Sequence, residues 1–304
     1  MKSKFTSLAQ KYKLINEIGS GSFGEVYLAN DNINNIQCAI KIEEKKNNSR
    51  LKDEYDIYKK LRENGVCKGI PKIINFIETK KYNVMAMQLL GKSLDSLLSD
   101  HGGKFDLGTV LKLGITIVEL LHKIHKAGFI HRDIKPNNFL IGDQDNTQDN
   151  NQLYIMDFGL SKQYIIKNEH IKPHIERSLI GTARYASLNV HFGFEPSRRD
   201  DLESVGYMLI YFLIGRLPWQ GLKKKEGEDQ IKLIGNKKAC ISVKKLCEGL
   251  PQCFIDYLEY CKKLNFDGDP NYKYLTTLFE NTAVENKVSM TYVWTKDSSS
   301  LNNQ

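Results

Sequence analysis

Two short stretches decide the fold of this chain: His131-Arg132-Asp133-Ile134-Lys135-Pro136-Asn137-Asn138 and Asp157-Phe158-Gly159. They supply the residue types that phosphoryl transfer from a nucleoside triphosphate requires, in the required order. Asp133 can accept or orient a hydroxyl proton, and Lys135 can neutralise charge on the phosphoryl group. Asn138 and Asp157 can bind Mg²⁺ through their side-chain oxygens. The alternative, polar residues that only cap turns, is disfavoured because four residue types match in register.

A glycine-rich stretch lies upstream and is followed by Val26: Gly19-Ser20-Gly21-Ser22-Phe23-Gly24. Glycines let the backbone approach phosphates closely, with amide N–H groups as donors. A dinucleotide-binding fold has a similar spacing but continues into a helix. Here residues 25–28 continue as a strand, which favours a glycine-rich flap over ATP. An ordinary hairpin turn is the alternative.

Lys41 closes the apolar strand sequence of residues 38–41 and needs a partner in such surroundings. Glu54 is the best candidate, because it shares one helical face with Leu51 and Leu61 and should therefore point inward. An ion pair between Lys41 and Glu54 would direct the ammonium group at the phosphates of ATP. The alternative is a solvated lysine at a strand edge.

The composition is ordinary for a globular protein, with 304 residues, 41% hydrophobic and 26% charged. The formal charge of +8 favours anionic partners such as nucleotides, acidic peptides or phosphoproteins, although a mildly basic surface also explains it. The six cysteines show no CxxC pair and no zinc-type cluster, so reduced thiols are expected. Neither a signal peptide at residues 1–10 nor an apolar run long enough to cross a bilayer is recognised.

Hydrophobic periodicity changes along the chain from mainly strand to mainly helix. Strands are expected at residues 12–18, 25–29, 37–42, 84–90 and 153–156. Helices are expected at residues 50–61, 107–126, 200–214, 253–264 and 274–281. Ser49 is the predicted N-cap of the first helix, and Gly128 the stop of the second. The polar residues 142–152 are expected to form an exposed loop.

Two later stretches make a family resemblance specific: Gly181-Thr182-Ala183-Arg184-Tyr185-Ala186-Ser187-Leu188-Asn189 and Ser197-Arg198-Arg199-Asp200-Asp201-Leu202-Glu203-Ser204. With the motifs above, the chain resembles the eukaryotic protein kinases, and among them the casein kinase 1 family. Most protein kinases end the activation segment with Ala-Pro-Glu. The casein kinase 1 family has a Ser-Ile-Asn type sequence there, and residues 187–189 are Ser-Leu-Asn. The resemblance covers residues 10–295.

The resemblance implies an α+β, bilobed protein-kinase fold. A small antiparallel N-lobe with one main helix would precede a larger, mainly helical C-lobe, with ATP in the cleft between them. The expected divisions are an N-terminal extension at residues 1–11, a kinase domain at 12–290 with lobes at 12–90 and 91–290, and a short tail at 291–304.

The resemblance also implies the roles of individual residues. Met87 would be the gatekeeper, and backbone groups of Gln88 and Leu90 would bind adenine. Asp201 would anchor the backbone of the catalytic loop. The expected ATP-binding set is Ile18, Gly19, Ser20, Gly21, Ser22, Phe23, Gly24, Val26, Ala39, Lys41, Met87, Gln88, Leu90 and Leu140. The expected catalytic set is Asp133, Lys135, Lys41, Glu54 and Thr182, with Asn138 and Asp157 as Mg²⁺ ligands.

Family members phosphorylate Ser or Thr, favouring sites that follow an acidic or phosphorylated residue. Arg184 and Lys223 would form the substrate anion site, since the planar fork of arginine suits a phosphate. Residues 224–230 depart from the family pattern, so at least one anion-site lysine is lost or displaced. A monomer in the cytoplasm, the nucleus or both is expected, with acidic or phosphorylated protein substrates and neither a membrane nor a specific nucleic acid as partner.

Two other functions stay open beside an active Ser/Thr kinase that uses ATP and Mg²⁺. One is a pseudokinase-like scaffold, but pseudokinases usually lack Lys41, Asp133 or Asp157, and this chain has all three. The other is a nucleic-acid-binding module, prompted by the charge of +8. It has no supporting recognition motif.

Overall fold

The computed structural model describes residues 11–21, 24–46, 49–143, 151–175 and 178–295. Ser22 and Phe23 of the expected ATP-binding set lie outside the described residues, as do most of the expected loop at 142–152 and all residues after 295. Within the described residues, no helix combines the length and apolar character needed to cross a membrane. The six cysteines are free thiols.

The elements of the described residues are numbered in chain order. The strands are β1 (Tyr12–Gly21), β2 (Gly24–Asp31), β3 (Ile36–Glu44), β4 (Ile73–Glu78), β5 (Tyr82–Gln88), β6 (Leu90–Ser93), β7 (Phe129–Ile130), β8 (Phe139–Gly142), β9 (Leu153–Ile155), β10 (Lys162–Gln163), β11 (Ile165–Ile166) and β12 (Glu169–His170). The α-helices are α1 (Leu51–Glu63), α2 (Leu94–Asp100), α3 (Leu107–Lys126), α4 (Leu188–His191), α5 (Arg198–Ile214), α6 (Gln230–Ala239), α7 (Val243–Leu246), α8 (Gln252–Lys263) and α9 (Tyr272–Glu285).

The chain forms two compact units that do not follow chain order. The first unit contains Met1–Lys92 and Leu140–Gly159, and the second contains Ser93–Phe139 and Leu160–Gln304. The expected boundary at residues 90 and 91 therefore misplaces one later segment. Strands β8 and β9 form a sheet with β6, so Leu140–Gly159 belongs to the first unit although it comes late in the sequence.

The first unit is built on a five-stranded antiparallel sheet with the order β1-β2-β3-β5-β4. The first three strands confirm the expected ones and extend further at their ends, and alternating side chains of their middle parts face an apolar cluster. That cluster consists of Tyr12, Ala29, Cys38, Ile40, Ile42, Val84 and Ala86. Strand β4 was not predicted, and the strand expected at residues 84–90 is divided between β5 and β6.

Helix α1 begins differently from the prediction. Ser49 is not its N-cap, since that position is taken by Arg50, whose side chain makes no capping hydrogen bond. Instead, the Glu43 carboxylate on β3 accepts hydrogen bonds from the backbone N–H groups of Arg50 at 2.8 Å and Leu51 at 3.1 Å, and from the Ser49 hydroxyl. Burial alone would raise the pKa of Glu43, but these bonds hold it below its ordinary value. A distant carboxylate thus caps the helix.

The second unit is organised around α3 and α5, which contact each other, with α9 against α3 and α8 against α5. Helix α3 has the predicted bounds; the Asp106 side chain accepts from the Thr109 N–H at 2.7 Å, and Gly128 follows its end with φ of +88°. Helix α5 is buried along most of its length, as its apolar circumference predicts, and begins two residues before the expected position.

Part of the expected C-terminal tail belongs to the second unit. Tyr292 and Trp294 are both buried, and their rings stack at a centroid distance of 4.6 Å. The backbone N–H of Val293 donates to Oγ1 of Thr109 at 2.9 Å, near the start of α3. Aromatic burial therefore ties residues 292–294 of the expected tail to the second unit.

Candidate active site

In the first unit, Lys41 lies between two carboxylates. Its Nζ donates to Oε2 of Glu54 at 2.7 Å and to Oδ1 of Asp157 at 3.1 Å. Lys41 and Glu54 are buried, with 7% and 1% of their surface exposed. Burial would lower the pKa of Lys41, but the charges of Glu54 and Asp157 outweigh it and raise that pKa above its ordinary value. The ammonium group is therefore charged and fixed in direction.

Asp157 has a constrained backbone at the end of β9. Its φ is +66°, in the left-handed region that residues other than glycine rarely adopt. Its backbone N–H donates to the hydroxyl oxygen of Tyr58 at 3.2 Å, and the Tyr58 ring meets that of Phe158 edge-on at 4.9 Å. Helix α1, which carries Tyr58 and Glu54, thus fixes both Lys41 and Asp157.

The described members of the expected ATP-binding set all belong to the first unit. The β1–β2 hairpin pairs Gly19 with Val26 and Gly21 with Gly24, and Ile18 and Ser20 lie on β1. A Cβ atom at Gly24 would lie 2.1 Å from the Ile42 carbonyl oxygen, so only glycine fits there.

The sheet also places the remaining members of that set. Ala39 on β3 pairs with Met87 on β5, Leu90 begins β6, and Leu140 lies on β8. The backbone N–H of Gln88 donates to the Lys72 carbonyl oxygen at 2.8 Å. That N–H is therefore already bonded to the residue before β4 and is not the group that would contact adenine.

In the second unit, both oxygens of the Asp133 carboxylate are held. Lys135 Nζ donates to Oδ2 at 2.6 Å, and the Thr182 hydroxyl donates to Oδ1 at 2.8 Å. The Asn138 amide nitrogen donates to the Asp133 backbone carbonyl at 2.8 Å, which closes the loop. Asp133 is 5% exposed. Such a carboxylate can accept or orient the proton of a hydroxyl group.

Asp201 on α5 fixes the backbone of this loop. Its carboxylate accepts from the N–H groups of His131 at 2.7 Å and Arg132 at 2.8 Å, as expected from the resemblance. It also contacts Nε2 of His125 at 3.0 Å. Burial would raise the pKa of Asp201, but the His125 contact and the backbone bonds keep it below its ordinary value. His125 was not assigned to the site, although its place on the apolar face of α3 indicates burial.

Gly181 allows the following segment to lie against the catalytic loop. Its φ is +87°, and a Cβ atom there would lie 2.3 Å from the Arg132 carbonyl oxygen and 3.3 Å from Oδ1 of Asp133. Both the backbone conformation and the space therefore require glycine. The contact brings Thr182, the next residue, within hydrogen-bond distance of Asp133.

The Ser-Leu-Asn stretch is held by two carboxylates of α5. The Ser187 hydroxyl donates to Oδ1 of Asp200 at 2.6 Å and accepts the N–H of Val190, which caps α4. The N–H of Leu188 donates to Oε1 of Glu203 at 3.1 Å. These bonds fix the end of the segment that begins at Gly181.

A cavity of about 710 Å³ in the second unit is lined by Lys135 and Thr182 and by Arg184 of the following segment. The Arg184 guanidinium lies 5.7 Å from the ring centroids of both Tyr185 and Tyr211. Trp219, whose role was not predicted, donates its ring N–H to the Arg184 carbonyl oxygen at 2.8 Å. The structure thus brings Arg184 to a cavity beside the catalytic loop.

Lys223, the other residue of the expected anion site, is exposed and does not line this cavity. The lining instead includes the carboxamides of Gln220 and Gln230. Of the two expected anion-site residues, Arg184 lines the cavity and Lys223 does not.

Asp157 in the first unit and Asn138 in the second are each suited by their chemistry to binding a divalent metal ion. Both offer oxygen donors, and the Asn138 nitrogen is already engaged by the Asp133 carbonyl, which leaves the amide oxygen for a cation. Among the residues that the structure describes, no group of three or more His, Cys, Asp or Glu could hold a metal.

Comparison with known families identifies the fold and the reaction class. Residues 12–265 match the family model described as Protein kinase domain. The chain therefore belongs to the protein kinase family. Its α+β fold, with an antiparallel sheet and a helical C-terminal part, agrees with this membership. Membership supports phosphotransferase activity with ATP and a divalent metal.

Proposed function

We propose that this protein kinase is an active Ser/Thr kinase of casein kinase 1 type. It transfers the γ-phosphate of ATP to Ser or Thr hydroxyl groups in acidic or phosphorylated proteins. The observation that carries the proposal is the Asp133 carboxylate, held by Lys135 at 2.6 Å and Thr182 at 2.8 Å. This arrangement suits a hydroxyl acceptor and the charge that develops during transfer.

Residues of the second unit act on the phosphoryl acceptor, the hydroxyl group of the protein substrate. Asp133 orients the substrate hydroxyl and accepts its proton as the oxygen attacks the γ-phosphorus. Lys135 offsets negative charge on the phosphoryl oxygens. Thr182 fixes the second carboxylate oxygen, so that the base does not rotate away from the hydroxyl. A lysine two residues after the catalytic aspartate favours Ser and Thr over Tyr.

Residues of the first unit bind ATP, the phosphoryl donor. Lys41, directed by Glu54, binds phosphate oxygens of ATP, and the β1–β2 hairpin offers backbone N–H groups to the same phosphates. Asp157 of this unit would be one Mg²⁺ ligand and Asn138 of the second unit another. The metal ion would neutralise charge on the phosphates and orient them.

Arg184 supports the proposed preference for acidic or phosphorylated substrates. Its charged fork lies in the wall of the cavity that also contains Lys135 and Thr182. A carboxylate or phosphate of the substrate would bind there, close to the residue to be phosphorylated. Lys223 is not in that wall, so we assign it at most a long-range electrostatic contribution.

The proposal also includes that the protein acts as a monomer in the cytoplasm, the nucleus or both.

The test compares the wild-type protein with Asp157→Asn. With Mg²⁺ and labelled ATP, wild type should phosphorylate casein and acidic peptides, and the variant should lose transfer while keeping its thermal midpoint within a few degrees. A peptide library with acidic, phosphorylated, basic and Tyr-containing acceptors then tests the substrate class. Wild-type activity no higher than that of Asp157→Asn on every substrate would favour a scaffold without catalysis.

A further inference from the structure

Lys238 is a buried lysine of α6 to which the proposed reaction gives no role. Only 3% of its surface is exposed. Among the described residues, no carboxylate lies within ion-pair distance of its Nζ, although the charge of Glu203 is near enough to raise its pKa. Burial dominates and lowers the pKa of Lys238 to about 7. A lysine kept in such a position at a cost in solvation needs a structural or functional reason.

The Lys238 ammonium group binds the segment that follows Thr182. Nζ donates to the carbonyl oxygen of Ala183 at 2.9 Å and to that of Ala186 at 2.6 Å. It also lies 5.0 Å from the ring centroid of Tyr207 and 4.9 Å from that of Trp219. Two carbonyl groups and two aromatic rings therefore surround Nζ of Lys238, and its hydrogen bonds fix the backbone on both sides of Arg184.

The same helix face forms part of the cavity wall. Gln230, Ile234 and Lys238 are spaced four residues apart on α6, so they lie along one side of the helix. Gln230 and Ile234 line the cavity, as do Thr182 and Arg184 from the segment that Lys238 binds. This face of α6 thus forms one wall of the cavity, and through Lys238 it also binds the backbone of the segment that forms another wall.

We propose that Lys238 is a positioning residue for the protein substrate, which sets the distance between α6 and the segment from Thr182 to Ala186. This inference rests on the proposed kinase function for its kinetic readout. Lys238 acts through the backbone at Ala183 and Ala186, and so determines where Arg184 meets the substrate and where Thr182 meets Asp133. Methionine in its place would fill the space, leave the Ala186 carbonyl oxygen without the Lys238 donor, and leave the Ala183 carbonyl oxygen with only Nε2 of His191, at 3.0 Å.

The test measures Michaelis constants for Lys238→Met, with Lys237→Met as the matched control on the exposed neighbour. For Lys238→Met, we expect the KM of an acidic Ser peptide to rise about tenfold or more, and the KM of ATP to change less than about twofold. Lys238→Arg keeps charged donors and should recover part of the peptide KM. Lys237→Met should match wild type in both constants.

A purely structural role predicts a different pattern. It would lower the thermal midpoint and the active fraction while leaving the peptide KM unchanged, and that result would overturn the proposal. Equal effects of Lys237→Met and Lys238→Met would overturn it as well.

Hydrogen exchange covers the case in which Lys238→Met folds poorly or the wild-type protein proves inactive. In the milder Lys238→Gln, amides of residues 182–188 should exchange faster while those of α3 stay protected. Unchanged exchange at residues 182–188 would contradict the positioning role. Because this measurement needs no catalysis, failure of the inference is distinguishable from failure of the proposed kinase function.

Discussion

The Thr182 hydroxyl donates a hydrogen bond of 2.8 Å to Oδ1 of Asp133, across a separation of 49 residues in the sequence. Since Lys135 occupies Oδ2 of the same carboxylate, the orientation of Asp133 depends on two different segments of the chain. The segment after Gly181 therefore contributes directly to the geometry of the proposed base.

Replacement of Thr182 by Val should reduce kcat about 10- to 100-fold, because a hydrogen bond to a charged group contributes about 1.5–3 kcal/mol. The KM of ATP should stay unchanged, since the ATP-binding residues belong to the first unit. Thr182→Ser keeps the hydroxyl and serves as the control in the same steady-state assay. Equal kcat values for the Val and Ser variants would show that the hydrogen bond is unimportant.

Replacement of Gly181 by Ala should inactivate the enzyme and destabilise it. The new Cβ atom would lie 2.3 Å from the Arg132 carbonyl oxygen, so the catalytic loop must move. Gly102→Ala is the matched control, because Gly102 also has a positive φ of +71° but nothing within 4 Å of a Cβ atom. The control should cost about 1–2 kcal/mol of stability from backbone strain alone and keep its activity. Thermal unfolding and kcat, measured for both variants, distinguish the effect of backbone strain at the glycine from the effect of displacing the catalytic loop.

Replacement of Glu54 by Gln should cost about 3 kcal/mol of stability and raise the KM of ATP about tenfold or more, because Lys41 loses the carboxylate that directs it. Asp53→Asn is the control, since Asp53 is the exposed neighbour on the same helix. Urea unfolding gives the stability difference, and initial rates at varied ATP give the KM. A normal KM in Glu54→Gln would mean that Asp157 alone suffices to place Lys41.

His191 should make stability depend on pH. Burial and the charge of Lys238 lower its pKa from 6.5 to about 4, and its Nε2 lies 3.0 Å from the Ala183 carbonyl oxygen. Between those pH values the unfolded chain takes up a proton that the folded protein resists, so the free energy of unfolding falls as the pH falls. The thermal midpoint of His191→Gln, relative to wild type, should therefore rise from pH 7.5 to pH 5. A constant difference would contradict the assignment.

Local patterns were sufficient to predict the Lys41–Glu54 pair. Glu54 shares a helical face with Leu51 and Leu61, which are both buried, and Lys41 ends an apolar strand. The apolar neighbours of each residue therefore indicate that its side chain points inward. The bounds of α3 were likewise predictable, because an apolar stripe ends directly before a glycine that can adopt positive φ.

Features that depend on distant partners were not predictable in this way. Strand β4 has only half-buried side chains and an exposed end, so its periodicity is weak. Lys238 lies in a basic stretch that resembles a solvated helix, and its burial depends on Tyr207 and Trp219 from elsewhere in the chain. Ser49 has the right residue type for an N-cap, but its hydroxyl binds Glu43 instead.

The Glu43 cap has a mechanical consequence for the first unit. Strand β3 meets helix α1 at two points, with Glu43 at the backbone of Arg50 and Leu51 and Lys41 at the side chain of Glu54, three residues after Leu51. With one contact, the helix could rotate about that contact. Two contacts fix both the orientation of α1 and its distance from β3. Any ligand or partner that rotates α1 must therefore break both contacts together, so the helix should switch between discrete positions instead of drifting.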